Sequence, residues 1–278
     1  MGSNSSVIVV GGGPAGLMAA DYLSSHGFTV DVFDGKPSVL RKFLVAGKGG
    51  LNFSHDDDFE IFLSRYGNHA IELAPFLRAF GPVELREWIH QLGFDTFVGS
   101  SGKIFPATMH AVSIRLAWIK RLEHQGVKFH LNHRWLGWDQ EDNLVFETIS
   151  GNVSHHPKAV ILALGGASWP STGSDGTWRT ILEQQGIYVE PFKPANCGFN
   201  VNWSEHFRQK FGGSPLKSVS LHFSPESNKP LQRKGEFIIS DYGVEGHLIY
   251  QFSALLREEI SNNGKAFIYL DLAPDWDQ

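Results

Sequence analysis

The feature that most constrains this chain is Gly11-Gly12-Gly13-Pro14-Ala15-Gly16, which fits the spacing G-x-G-x-x-G. Val7-Ile8-Val9-Val10 precedes it, a short continuous apolar run of the kind that forms a strand buried on both faces. Pro14 to Ser25 reads as a helix closed by Gly27, and Thr29 to Phe33 reads as the next strand. In such a unit Gly11 permits the sharp turn out of the strand. Gly13 lets the backbone approach a pyrophosphate, and Gly16 lets the helix pack closely on the sheet. The helix start at Pro14 and Ala15 then offers free N–H groups and a partial positive charge to the diphosphate. Asp34 closes the second strand, where a carboxylate would accept hydrogen bonds from an adenosine ribose. The glycine spacing alone is weak. The strand before it, the helix after it and the acid at the right distance together indicate a dinucleotide-binding βαβ unit. The bland alternative is a glycine-rich turn with a solvated Asp34.

NAD and FAD both use this fingerprint, so the rest of the chain must separate them. Arg41-Lys42-Phe43-Leu44 leads into a second cluster, Ala46-Gly47-Lys48-Gly49-Gly50-Leu51-Asn52. It has a Walker-like Gly47-Lys48, but Gly49 stands where Ser or Thr must bind magnesium, and Lys42 replaces the leading glycine. A nucleotide triphosphatase is thereby disfavoured. A third cluster, Ala163-Leu164-Gly165-Gly166, ends another apolar run. A long cofactor touched by three glycine loops suits FAD better than NAD.

Composition narrows the classes further. With 278 residues, 42% hydrophobic and 19% charged, the chain can build more than one core and is expected to be soluble. Its formal charge of −5 and lack of a dense Lys/Arg run give no footprint for nucleic acid. No stretch approaches the ~20 apolar residues of a membrane span, and Met1 to Ser6 is polar, so a cytoplasmic protein is expected. Cys197 is the single cysteine, which removes both an intramolecular disulfide and a two-thiol electron relay. The histidines show no metal spacing, so no metal is expected.

Along the chain, Leu85, Trp88, Ile89 and Leu92 recur at helical spacing between Pro82 and Gly93. Thr96 to Val98 and Lys103 to Phe105 flank Gly99-Ser100-Ser101-Gly102 as a hairpin. A helix is expected from Ala111 to Gln125, and strands at Val127 to Leu131, Trp135 to Trp138, Leu144 to Ile149 and Ala159 to Leu164. From about Pro191 the apolar runs shorten and Pro, Asn and Ser increase. The expected domains are therefore 1–190 and 191–278.

Gly11 to Gly16, Arg41 to Leu44, Ala46 to Asn52 and Ala163 to Pro170 together resemble the bacterial NAD(P)/FAD-dependent oxidoreductase flavoproteins, a branch of the glutathione-reductase-like FAD proteins. The similarity continues through Thr172 to Gly176, Pro194 to Phe199 and Gly235 to Phe237. It implies an α/β fold, a Rossmann-like FAD-binding domain with an inserted mixed α/β or β-barrel domain. It also implies that Gly47 to Asn52 (with Gly49, Gly50 and Asn52) and Gly165-Gly166 lie along the FAD. This chain departs in carrying Gly50-Leu51 where many members have Arg-Cys, so thiol chemistry there does not transfer. Family members also continue well past Gln278, so the second domain is expected to be incomplete.

The resemblance implies an FAD-dependent oxidoreductase using NAD(P)H as a transient donor and a small organic acceptor. The rivals are an NAD-dependent dehydrogenase and a non-catalytic flavin-binding protein or fragment. No catalytic residue is identified. Cys197 reads more naturally as a packed small side chain. Lys48 could neutralise a phosphate or be a solvated loop lysine. Asp241 and Tyr242 could line a cleft or simply end a strand. In flavoenzymes the cofactor carries the hydride chemistry and the protein orients it, so the lack of a triad is no argument against catalysis.

Overall fold

In the computed structural model, which describes residues 7–47, 50–225 and 230–276, β1 (Val7–Val10) is buried along its whole length. It is an inner strand of a four-stranded parallel sheet. The order is β10 (Ala159–Leu162), β1, β2 (Val30–Asp34) and β6 (Lys128–Leu131). Val7 stands between Ala159 and Val30, and at the far end Asp34 pairs with Leu131. Side chains alternate across the strands. Val9 and Val32 join one core with Leu17, Trp88, Ile89, Trp118 and Leu122, while Ile8, Val10 and Phe33 join another with Trp135, Leu144 and Phe146. Full burial of each such side chain contributes roughly 1.5–3 kcal/mol.

The first core is roofed by α1 (Pro14–Ser25), α5 (Pro82–Gln91) and α6 (Ala111–His124). A buried carboxylate locks them together. Asp21 on α1 accepts hydrogen bonds from Trp88 Nε1 at 2.9 Å and Gln125 Nε2 at 3.1 Å, and pairs with Arg121 at 3.1 Å. A carboxylate so satisfied escapes most of the penalty of burial, and it fixes the direction of α1. The second core is covered by an antiparallel sheet of β7 (Arg134–Trp138), β8 (Leu144–Thr148) and β9 (Gly151–His155), with α7 (Trp178–Gln184) beside it. The same unit holds α2 (Arg41–Ala46), α3 (Phe59–Ser64) and α4 (Ala70–Ala79). Its third sheet has the order β3 (Ser54–His55), β5 (Lys103–Pro106), β4 (Thr96–Val98).

The sequence pattern did not reveal β9. Its only apolar residue is Val153, because the strand lies at a sheet edge and its side chains are mostly exposed. The expected strand at Ala159 to Leu164 is shorter, ending at Leu162 where the chain enters the third glycine cluster.

The chain divides into two compact units between Glu190 and Pro191. The second unit is a five-stranded antiparallel sheet with helices. The strand order is β11 (Phe199–Asn200), β14 (Gly243–Glu245), β13 (Leu231–Ser240), β12 (Ser214–Phe223), β15 (Tyr269–Asp271). The helices are α8 (Glu205–Phe211), α9 (His247–Tyr250) and α10 (Ser253–Asn263). Val219, Leu221, Phe237 and Ile239 of the sheet pack against Leu248, Ile249, Phe252 and Leu256. No described helix is long and apolar enough to cross a membrane.

Candidate functional site

At the carboxyl end of β1 the chain must turn sharply into α1 while passing close to β10. Gly11 makes that turn at φ +110°, and a Cβ there would collide with the Ala163 carbonyl oxygen. Gly16 lies under the turn, where a Cβ would collide with the Gly11 carbonyl oxygen. Gly13 is different. A Cβ there would meet nothing within 4 Å, so the space over it is open. Gly13 also caps α1, which begins with Pro14 and has no side-chain cap and no acidic residue in its first turn. The first intrahelical bond is Leu17 N–H to Gly13 C=O. Among the described residues, the amides of Gly13, Ala15 and Gly16 have no protein acceptor. An anion at this end would meet both those donors and the positive end of the helix dipole.

A cleft of about 440 Å3 opens there, within the usual ~300–1,000 Å3 of small-molecule sites. It gathers Gly11, Gly13, Pro14, Asp34, Arg41, Lys42, Ala163, Leu164 and Gly165 from four separate segments. Ala15 and Gly16 are not among its lining residues, Ala15 being exposed and Gly16 buried. Asp34 Oδ2 accepts the Gly12 N–H at 2.7 Å and Oδ1 accepts the Lys36 N–H at 2.8 Å. Burial pushes this carboxyl above its ordinary range. The Lys36 and Gly12 amides and the nearby Arg41 and Lys36 charges pull the other way. Arg41 itself has an Nε shielded from solvent and without a hydrogen-bond partner. A buried guanidinium nitrogen left unpaired is costly unless a ligand completes it, and a diphosphate is a fitting acceptor.

The third glycine cluster is held from below. Gly165 adopts φ +73°, Trp178 Nε1 donates to its carbonyl at 3.1 Å, and Ser174 Oγ donates to the Leu164 carbonyl at 2.9 Å and to that of Gly166. Gly166 is exposed and does not line the cleft. On the rim, Arg134 faces Asp175 at 4.0 Å, and hydrogen bonds from Thr177 hold the Asp175 carboxyl below its usual range.

The described residues of the second glycine cluster do not reach this cleft. Gly47 and Gly50 line another cavity, of about 410 Å3, with Leu44, Met109, His110, Ala111 and Val112. Asn52 is exposed and lines neither. Lys48 and Gly49 lie outside the described residues. The two cavities share α2: Arg41 and Lys42 face the first, Leu44 the second.

Sequence reasoning missed Gly12, Lys36, His133, Arg134, Ser174 and Asp175, all of which line the first cleft. Gly12 stands in the glycine loop without a role of its own in the sequence pattern, and Ser174 and Asp175 enter only through the resemblance carried by Thr172 to Gly176. His133 lies between β6 and β7 and Arg134 opens β7, and nothing in the local pattern joins them to the glycine loop. Cys197 is half-buried in the second unit, its backbone tied to Ser253 Oγ, and Asp241 and Tyr242 lie in the turn between β13 and β14. No described group of His, Cys, Asp and Glu is arranged to hold a metal ion.

Comparison with known proteins yields a family model described as the HI0933-like protein Rossmann domain, matching residues 5–243. The 3-dehydro-bile acid delta(4,6)-reductase of Clostridium scindens is 24% identical over 270 residues, covering 96% of this chain and 64% of the relative. The ribosomal RNA dihydrouridine synthase of Haemophilus influenzae is 26% identical over 256 residues, covering 91% of this chain and 62% of the relative. This chain therefore spans less than two thirds of the length of either. Among solved structures, the open conformation of a flavocytochrome c3 fumarate reductase aligns with a TM-score of 0.51 at 19% identity. That alignment covers 77% of this chain and 47% of that one, a likeness of fold.

Proposed function

This chain belongs to the HI0933-like Rossmann-domain family, and on that premise we propose that it binds FAD and is an oxidoreductase. Its donor would be NAD(P)H and its acceptor a small organic molecule. The observation that carries the reading is the first cleft. Open space over Gly13, amides without protein acceptors and a buried, partnerless Arg41 Nε converge where a diphosphate would sit. The two relatives, named as a reductase and a dihydrouridine synthase, support reduction of an organic acceptor. A net charge of −5 favours a small acceptor over a nucleic acid.

The residues divide the task along α2. Gly13, Ala15 and Gly16 would donate amides to the diphosphate, and Arg41 and Lys42 would neutralise it. Phe33 and Trp135 give the cleft apolar walls. The far end of α2, with Leu44, Gly47 and Gly50, would receive the remainder of the cofactor at the second cavity. FAD, when bound, supplies two-electron hydride chemistry, and the protein supplies orientation and charge.

The test is the absorbance spectrum of the purified chain incubated with FAD, followed by anaerobic titration with NADH and NADPH. A flavin spectrum bleached by one of them is expected. A colourless protein that binds NAD instead would establish a dehydrogenase. Bound FAD that neither nucleotide reduces would leave a flavin-binding protein without this activity.

A further inference from the structure

We propose that Asp34 is a positioning residue that shapes the diphosphate loop through the Gly12 amide, a role beyond any contact it makes with the adenosine ribose. The proposal rests on the dinucleotide reading of the first cleft. Its basis is how the loop's amides are shared out. Gly11 N–H donates to the Phe33 carbonyl at 2.8 Å, and Gly12 N–H to Asp34 Oδ2 at 2.7 Å. Gly13, Ala15 and Gly16 have no protein acceptor among the described residues. The first two amides anchor the loop, and the other three are left for a ligand.

Gly12 is gripped from both sides, because its carbonyl accepts the Leu40 N–H at 2.8 Å. The fit leaves no room for a side chain. A Cβ on Gly12 would collide with Val39 Cγ1 and come 3.0 Å from Asp34 Oδ2. The other oxygen, Oδ1, accepts the Lys36 amide two residues on, an ordinary local turn. The Gly12 bond is not local, since it spans 22 residues and joins β2 to the loop after β1. One carboxylate thus ties together the end of β2, the turn leading to α2 and the diphosphate loop. Each oxygen accepts one amide without a ligand and keeps a lone pair for a ribose hydroxyl. A charged acceptor on a backbone amide is among the stronger hydrogen bonds, so its loss should release Gly12 and with it the alignment of the three free amides.

The two roles differ in what they predict for a ligand without ribose hydroxyls. The experiment is calorimetric titration of the wild-type chain, Asp34→Ala and Asp34→Asn with ADP and with 2′,3′-dideoxy-ADP. If Asp34 acts through the loop, Asp34→Ala weakens 2′,3′-dideoxy-ADP as well as ADP, each by roughly ten- to a hundredfold. Asp34→Asn, which keeps one acceptor oxygen, weakens both by less. A loss confined to ADP would make Asp34 a ribose clamp and overturn the proposal, and so would no loss with either ligand. Hydrogen exchange at the Gly12 amide of the ligand-free protein gives a second reading, independent of affinity. It should be slow in the wild type and faster in Asp34→Asn, and an unchanged rate counts against the proposal. A folded wild type that binds neither ADP nor FAD would overturn the dinucleotide reading itself, and the positioning role with it.

Discussion

The two cavities of the first unit share α2 and are both bordered by glycines, yet they are built on different principles. In the first, Gly11 sits where one backbone crosses another and Gly13 faces open space, and polar atoms there lack protein partners among the described residues: three amides and the buried Arg41 Nε. In the second, glycines sit where side chains press in. A Cβ on Gly47 would collide with that of Ala111, and one on Gly50, at φ +103°, would come 3.0 Å from Met109 Cε. Among the described residues its only titratable lining side chain is His110. The first cavity thus sets unpaired donors for an anion among apolar walls, and the second is a recess shaped by packing. A glycine cluster in sequence does not by itself say which of the two it will make.

The largest effects should come from two glycines of the loop that borders the first cavity. Gly16→Val is expected to unfold the chain, because its side chain has nowhere to go but into the Gly11 carbonyl. Gly13→Val should leave the fold intact, with open space around it, and abolish FAD binding by filling the place of the diphosphate. Circular dichroism and flavin fluorescence separate the outcomes. Normal FAD content in a folded Gly13→Val protein would remove the first cavity from contention.

Arg41→Gln tests the unpaired guanidinium. If Nε waits for a phosphate, the variant should lose roughly ten- to a hundredfold in affinity for ADP, the usual worth of a charge-assisted hydrogen bond. Its thermal stability should stay the same or rise, since a buried group without a partner is removed. A drop in stability with no change in affinity would mean that Arg41 is structural.

The second cavity should respond differently. Gly50→Ala forces a side chain onto a left-handed backbone, at a cost of about 1–3 kcal/mol, while Met109 Cε, a flexible tip, can move aside. We expect a lower denaturation midpoint, unchanged ADP affinity and weaker FAD affinity. Equal weakening of ADP and FAD would erase the distinction between the cavities.

This contrast also explains what the sequence could and could not convey. The βαβ unit was legible because period, punctuation and chemistry coincide there: an apolar run, three glycines with backbone reasons, and Asp34. The helix from Ala111 and the hairpin around Gly99 to Gly102 were legible from apolar spacing and turn residues. The edge strand β9 was not, because an exposed strand needs no apolar pattern. Nor were His133, Arg134, Ser174 and Asp175, which the fold brings to the cleft from segments 100 or more residues beyond the glycine loop. Such convergence follows from strand order, which local pattern does not encode.

The smallest expected effect concerns the floor of the first cavity and the pH range over which it holds. Phe33, which lines the cleft, is stacked between His130 at 4.2 Å and Phe146 at 4.3 Å, with His155 edge-on at 4.9 Å and His133 at 5.5 Å. Asp31 pairs with His130 at 2.8 Å. Burial holds the His155 imidazole below its ordinary range, His130 and His133 push it the same way, and Asp31 opposes them weakly. The folded state therefore keeps His155 neutral where the unfolded chain, with its ordinary value near ~6.5, already takes up a proton. Its contribution to stability is complete above that value and is lost as the pH falls through the lower folded one. Melting temperatures should accordingly fall between pH 7 and pH 5, and His155→Gln should reduce that fall by about 2 °C or less. The same substitution should leave the stability at pH 8 nearly unchanged, since both side chains are then neutral. If wild type and variant lose stability in parallel on acidification, the sensitivity lies elsewhere and the imidazoles under Phe33 serve only as packing.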